Sequence, residues 1–315
     1  MFTTATAILP LKPIIKNKRA RLYAWLFCFS AGFSNRRIRK FCPKSTIFVL
    51  NKTQNSPLTT HHSNDLMPVQ LSVVIITLNE ESNLGRCLAS VQTIADEIVV
   101  VDSFSTDNTQ AIAASFGARF IQRKFDGYVS QKNFADQQAA YPHILSIDAD
   151  EVLSPGLRAE IAAIKNNWQR AGYYLNRLTN YCGTWVRHGG WYPDKKLRLY
   201  DREKGRWHGL LLHEEYRLAA NEKAGRLKSD LLHYSFNSIS DHLRQVDHFT
   251  DVSSREMRMQ GRRPSFWPML YKPASKFVEM YLLKTGFRDG AAGFCIAVIS
   301  SYAAFVKYAK FYFSA

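Results

Sequence analysis

Residues 144–153, ILSIDADEVL, carry an apolar run straight into Asp148, Ala149, Asp150 and Glu151 before the chain turns apolar again. Three carboxylates in four positions repel one another, and desolvating them is costly without a cation or hydrogen-bond donors nearby. Carboxylates at i and i+2 present hard oxygen ligands of the kind Mg²⁺ or Mn²⁺ takes while also binding diphosphate oxygens. A solvated surface turn is the other reading. What decides between them is the set of elements that positions the acids.

Those elements alternate. LSVVIIT (71–77) and EIVVVD (97–102) are β-branched runs suited to strands buried on both faces. Between them, 81–92 places Leu84, Leu88 and Val91 at helical spacing. Residues 105–117 open with helix-capping types and end on Gly117. A short strand over 118–122, a helix over 128–140 and a strand over 143–148 complete the pattern. Strand–helix alternation with short loops predicts an α/β fold with a mostly parallel, doubly wound sheet flanked by helices. Ligands in such sheets bind beyond the carboxyl ends of the strands. There the chain places Thr77, Asn79 and Glu80, then Asp102 and Ser103, then Asp148 and Asp150. A dinucleotide-binding glycine fingerprint and a P-loop lysine are both missing after the first strand. The pattern predicts a nucleotide held by side chains and a bridging cation.

SVVIITLNEESNLGRCLASV, IVVVDSFSTDNT and ILSIDADEVL together resemble the opening domain of inverting family-2 glycosyltransferases of GT-A fold. WYPDKKLRLYDREKGRWHGLLLHEEY and LLHYSF are similar to bacterial lipopolysaccharide-core glucosyltransferases that act on inner-core heptose. The resemblance covers 70–315. It implies that Thr77, Asn79, Glu80 and Asp102 contact uridine, that Asp148 approaches the ribose or the metal, and that Asp150 ligates the metal. It also brings Lys132 and Asn133 toward the nucleotide. Phe104 departs from the pattern, standing where the family usually has Gly.

After Pro155 the pattern changes to alternating strands over 172–186 and 195–201. RWHGLLLHEEY (206–216) then concentrates Trp207, His208, His213, Glu214 and Glu215. Inverting transfer to an alcohol needs one base to take the acceptor proton. A diphosphate leaving group stabilised by a metal needs no protein acid. Glu214 is the candidate base, by resemblance as well as chemistry, and Asp194 is the runner-up. His213 and His233 can ligate the metal, grip a phosphate or be structural. Arg198 can neutralise diphosphate. Trp185, Trp191 and Trp207 can stack on sugar rings or close the core.

The hydrophobic fraction of 46% is that of a globular chain, and five scattered cysteines suggest reduced thiols. Of the net charge of +16, residues 1–66 hold eleven Lys/Arg against one acid. This extension reads as a mis-assigned start or disordered tail before Met67, as a targeting peptide, or as a functional arm. The rest carries no basic, base-stacking motif for nucleic acid. The division expected is an extension over 1–66, a GT-A domain over 67–235 and a helical, amphipathic region over 236–315. Residues 238–260 read as a polar amphipathic helix whose Asp–His pairs at 241–242 and 247–248 lie on a solvated face. The uncharged run 290–306 spans roughly 25 Å, short of a ~30 Å hydrocarbon core. It reads as an interfacial or re-entrant helix, with a helix buried against the catalytic domain as the alternative.

The function expected is metal-assisted transfer of a hexose, glucose by preference, from a UDP-sugar to the inner-core heptose of lipopolysaccharide. The enzyme would work peripherally, at the cytoplasmic face of the bacterial inner membrane. Transfer to polyprenyl phosphate and non-catalytic nucleotide-sugar binding are the alternatives.

Overall fold

The computed structural model describes residues 67–209 and 214–313. The readings made above for residues 1–66 and for His213 lie outside the described residues.

The first half alternates as expected: β1 (Leu71–Thr77), α1 (Leu84–Val91), β2 (Glu97–Asp102), α2 (Thr109–Ser115), β3 (Arg119–Gln122), α3 (Tyr128–Gln138) and β4 (His143–Asp148). These strands pair in parallel in the order β3-β2-β1-β4. Register sets Thr77 opposite Asp102 and Ile76 opposite Asp148, so β1 carries both acids to one edge. Alternate residues face opposite layers, as strand geometry requires. Val73 and Ile75 pack with Leu84, Leu88 and Leu157 on one side; Val74 packs with Ala135, Tyr200 and Trp207 on the other.

Two helices begin later than the periodicity predicts. The 80–83 segment is a turn in which the Glu80 carbonyl accepts from Asn83 and Leu84. Residues 105–108 bond across to the β1–α1 loop: Thr106 N–H donates to Asn79 Oδ1 at 2.9 Å and Asn108 N–H to Glu81 Oε2 at 3.1 Å. Those loop-to-loop bonds use donors that a longer α2 would have left at its end.

The second half adds β5 (Glu151–Leu153), α4 (Pro155–Asn166), β6 (Gly172–Tyr181), β7 (Thr184–Val186), β8 (Asp194–Asp201), β9 (Gly205–His208), β10 (Glu215–Leu218) and β11 (Ala224–Phe236). The sheet runs on from β4 through β8, β6 and β11 to β5, with β8 antiparallel to both neighbours and β11 parallel to β6. Immediately after the acids the chain turns into β5, which pairs antiparallel with β11 and sets His233 opposite Glu151.

Three helices follow: α5 (Ile239–Met259), α6 (Trp267–Phe277) and α7 (Gly290–Phe313). A π turn (Val278–Leu283) and a 3₁₀ turn (Gly286–Asp289) lie between α6 and α7. Helix α7 corrects the length argument. It continues past Val306 through Lys307 and Lys310, and by length and composition is enough to cross a membrane. Lysines do not stop a helix, and Lys310 reaches back to Asp247 and Asp251 at 2.6 and 2.8 Å. Only 22% of its apolar window is buried, against the reading of a core helix. The Asp–His pairs on α5 are split: His242 is buried against the Tyr181 hydroxyl at 3.0 Å, which corrects the solvated-face reading for that residue. Asp241 instead serves the helix start through Ser238. Gly293 is required, because a Cβ there would lie 1.9 Å from the Gly286 carbonyl oxygen.

Phe104 sits at φ +65°, the left-handed region that a Gly occupies without strain, and is 54% exposed. That conformation costs an L-residue about 1–2 kcal/mol, more than the roughly 0.4–1 kcal/mol by which Gly favours the unfolded chain. Phe104→Gly is therefore expected to raise the urea midpoint, and a lowered midpoint would show that the ring contributes more than the strain costs.

Candidate active site

A cleft of about 1400 Å³ opens beyond the carboxyl ends of β1 and β4 and is walled by β6, β8, β11 and α5. Its floor is a chain of alternating charges. Glu214 lies 3.9 Å from the Lys132 ammonium, which is 2.7 Å from Asp148 Oδ1. Arg198 pairs with Asp148 Oδ2 and, at 3.2 Å, with Glu151. Arg177 then bridges Glu151 at 3.3 Å and Asp194 at 2.6 Å. Lys132, Arg198 and Glu151 are almost wholly buried, so each charge depends on its neighbours. Burial alone would favour a protonated Asp148; Arg198 and Lys132 outweigh it and hold the carboxyl well below the usual carboxylate range.

The predicted residues separate into two groups. Thr77, Glu80, Asp148, Asp150, Asp194, Arg198, Glu214 and His233 line the cleft. Asp102, Asn79, Lys132 and Asn133 stand outside that lining. Asp102 is fully buried; its oxygens accept from the Thr77 hydroxyl at 3.0 Å and from the Ser105 hydroxyl and N–H. It shapes the floor under the site. Asn79, at φ +55°, ties the β1–α1 loop to the β2–α2 loop. Asn133 holds the Trp207 backbone through both its amide nitrogen and its oxygen, pinning β9 against α3. Lys132 acts from beneath, through Asp148, with its ammonium 4.6 Å from the Trp207 ring centre. Trp207 is a core residue whose Nε1–H donates to Tyr200 at 2.9 Å. Trp191 packs on Tyr181 and Phe236 while lining the cleft, and Trp185 packs edge-on against Tyr234.

Asp150 and His233 form the part of the site suited to a cation. His233 Nε2 lies 3.1 Å from Asp150 Oδ2, and among the described residues Asp150 has no Lys or Arg partner. His233 Nδ1 is buried without a hydrogen-bond partner among those residues. Glu80 sits near the same acids: burial first, then the charges of Asp150, Asp107 and Asp148, push its carboxyl above the ordinary range. The Asp150 carboxylate, open to the cleft, is the kind of oxygen ligand that suits Mg²⁺ or Mn²⁺, which usually keep waters and substrate phosphates as their other ligands; among the described residues no group of three His, Cys, Asp or Glu side chains gathers there to complete a shell from protein alone. Asp148, in contrast, has its two oxygens engaged by Lys132 and Arg198.

Sequence reasoning missed Glu151 as a hub and Arg177 altogether. Glu151 was visible as the third acid of the cluster. Arg177 carried no signal, because its partners lie on β5 and β8, far away in sequence.

Behind Lys132 on α3, Asp136 accepts from Tyr200 at 3.0 and 3.1 Å. Burial pushes its carboxyl up to about 7, against the opposing pull of Tyr200 and Lys132. Between the unfolded value of 3.8 and the folded value the native state holds the extra proton, so this group's stabilisation is complete below 3.8 and lost as pH rises toward 7. Asp136→Asn lacks that titration. Its stability relative to wild type is expected to climb with pH across this window, by at most about 1.4 kcal/mol per pH unit. Urea midpoints at several pH values check this, and a pH-independent difference would contradict it.

A sequence profile described as glycosyl transferase family 2 matches residues 72–216. Over 256 residues the chain is 32% identical to the lipopolysaccharide core biosynthesis glycosyltransferase LpsC of Rhizobium meliloti, covering 77% of this chain and 92% of that one. It is 30% identical over 251 residues to an uncharacterised glycosyltransferase of Rickettsia typhi, covering 76% and 86%. Among solved structures, a mannosyltransferase of Pyrobaculum calidifontis in complex with GDP-Man and Mn²⁺ superimposes with a TM-score of 0.46 at 14% identity, covering 78% and 88%. The profile match over residues 72–216 and the likeness to LpsC over 92% of its length lead to one conclusion: this chain belongs to glycosyltransferase family 2, and it is a glycosyltransferase.

Proposed function

We propose that the chain transfers a hexose, with inversion, from a UDP-sugar to a lipid-linked saccharide of the lipopolysaccharide inner core. The carrying observation is that Asp150 with His233, Glu214 beside Lys132, and Arg198 all line one cleft. The relative named for core biosynthesis supports the acceptor class. Asp150 and His233 would hold Mg²⁺ or Mn²⁺, which when bound supplies charge neutralisation at the departing diphosphate.

The protein's own residues do the rest. Glu214 takes the proton from the attacking acceptor hydroxyl, converting a weak nucleophile into an alkoxide as the new bond forms. Lys132 lies 3.9 Å from it, at the end of the charge chain. Arg198 keeps a guanidinium at the cleft floor, where negative charge builds on the leaving group. Asp194 is the poorer base: burial is outweighed by Arg177 and Lys196, which lower its carboxyl pKa, with Oδ2 accepting from Arg177 and Oδ1 lying 3.4 Å from the Lys196 ammonium.

The working place is the surface of a membrane, at its cytoplasmic face. Trp267, Leu270, Tyr271, Leu282, Leu283 and Phe287 are all at least half exposed on the α6–α7 region, an apolar and aromatic set suited to the lipid interface.

The test uses full-length protein, Mn²⁺, UDP-glucose and heptose-terminated lipopolysaccharide, with mass spectrometry for gain of one hexose. Glu214→Gln is expected to lower turnover about a hundredfold or more with UDP binding intact. Asp150→Ala is expected to lose Mn²⁺-dependent UDP binding, and Asp194→Asn to retain transfer. Full activity in Glu214→Gln would point to an acceptor that is already anionic, such as polyprenyl phosphate, and would remove the proposed base.

A further inference from the structure

A second cavity, of about 490 Å³, lies between α5, α6 and α7, outside the charge chain. Its cationic lining comes from two helices: Lys272 and Lys276 on α6, and Lys307 on α7. Glu279 also lines the cavity; it partly satisfies Lys276 at 3.3 Å and is paired with Lys284 outside the lining. Lys272 and Lys307 have no carboxylate partner among the described residues, although Asp247 and Asp251 stand on the adjoining α5. Those two acids are engaged by Lys310, one turn beyond Lys307. The half-buried Lys307 thus has cations as its neighbours: burial first, then Arg262, Lys272 and Lys276, lower its ammonium pKa. Like charges gathered around a cavity destabilise the empty protein and are relieved by an anion of matching size. Hydroxyls of Ser253 and Ser300 add donors to the same walls.

The position of the cavity narrows the ligand. His242, Gln245 and Phe249 of α5 line both this cavity and the catalytic cleft, so the two adjoin along one helix. Outward from it, Leu270, Tyr271 and Phe305 are exposed on α6 and α7. An anion bound here would have an apolar surface on one side and the cleft on the other. We propose that this cavity is a binding site for the phosphate of a phosphate-bearing lipid, seated beside the cleft so that an acceptor held by its phosphate presents its sugar to Glu214. The ligand class stands on the cavity alone; only its description as the acceptor rests on the function proposed above.

The test measures binding and requires no turnover. Full-length protein is cosedimented with phosphatidylcholine vesicles carrying, in separate arms, nothing further, phosphatidylglycerol, heptose-terminated lipopolysaccharide, or the same lipopolysaccharide after removal of its phosphates. Lys272→Gln combined with Lys307→Gln is expected to weaken binding tenfold or more to a phosphate-bearing vesicle and to leave the pure phosphatidylcholine arm unchanged. A loss confined to intact lipopolysaccharide identifies the acceptor as the source, and an equal loss with phosphatidylglycerol identifies the bulk headgroup. Lys272→Arg with Lys307→Arg is expected to retain binding. Lys223→Gln with Lys228→Gln removes the same charge from an exposed stretch elsewhere and is expected to have no effect. UDP binding reports that each variant is folded. An unchanged affinity in every arm, or an equal loss in the Lys223/Lys228 control, overturns the proposal. Weakened binding in the lysine variant, together with no hexose transfer by the wild-type protein, would retain the phosphate site and overturn only the proposed reaction.

Discussion

The site depends on one interaction, the sharing of the Asp148 carboxylate between Lys132 and Arg198. Two buried cations and one carboxylate would be an expensive arrangement in isolation. The cost is offset by extension in both directions, to Glu214 at one end and through Glu151 and Arg177 to Asp194 at the other. Seven groups alternate in sign, so no member faces a like charge as its nearest partner. Taking one member from a buried set of this kind typically costs about 3–5 kcal/mol, because the remaining charge is left without compensation. The rigidity that results serves chemistry: the cations beneath the cleft are held in place before any anionic ligand arrives, and no reorganisation is needed on binding.

The sheet explains how these groups meet. Parallel pairing of β1 with β4 sets Asp148 at the carboxyl edge, and the immediate turn into β5 brings the chain back beside β11. That return places Glu151 among the arginines and His233 beside Asp150. The antiparallel strands β8 and β6 then contribute Arg198 and Arg177 from the other side. A purely parallel continuation would have sent the chain away along a crossover helix, with no hairpin-like return to deliver a histidine to the acids.

The helical region is joined to the cleft. His188 donates its N–H to Asp289, its ring Nδ1 lies 2.7 Å from the same carboxylate, and Gly189 N–H donates to the Lys284 carbonyl. The loop before Trp191 is therefore held by the turn between α6 and α7. Whatever the exposed face of those helices meets is mechanically close to one lip of the cleft.

Local patterning decided much of this in advance. The β-branched runs, the helical spacing of Leu84, Leu88 and Val91, and the acids at strand ends were enough for the α/β alternation and for a site at the strand ends, because both follow from periodicity and chain direction. Asp150, His233, Arg198 and Glu214 were legible as chemistry-bearing types. Their division of labour was not. Asp102 and Asp148 look equivalent to Asp150 in sequence, yet one is sealed beneath a loop and one is taken by two cations, and only register and burial separate them. Arg177 and the lysine-lined cavity were invisible for the same reason: their partners lie on strands and helices remote in the chain. Sequence determines which groups are available and which face of an element they occupy. Tertiary structure decides which charges are neutralised, since Coulombic pairing depends on distances of a few ångströms that no local pattern encodes.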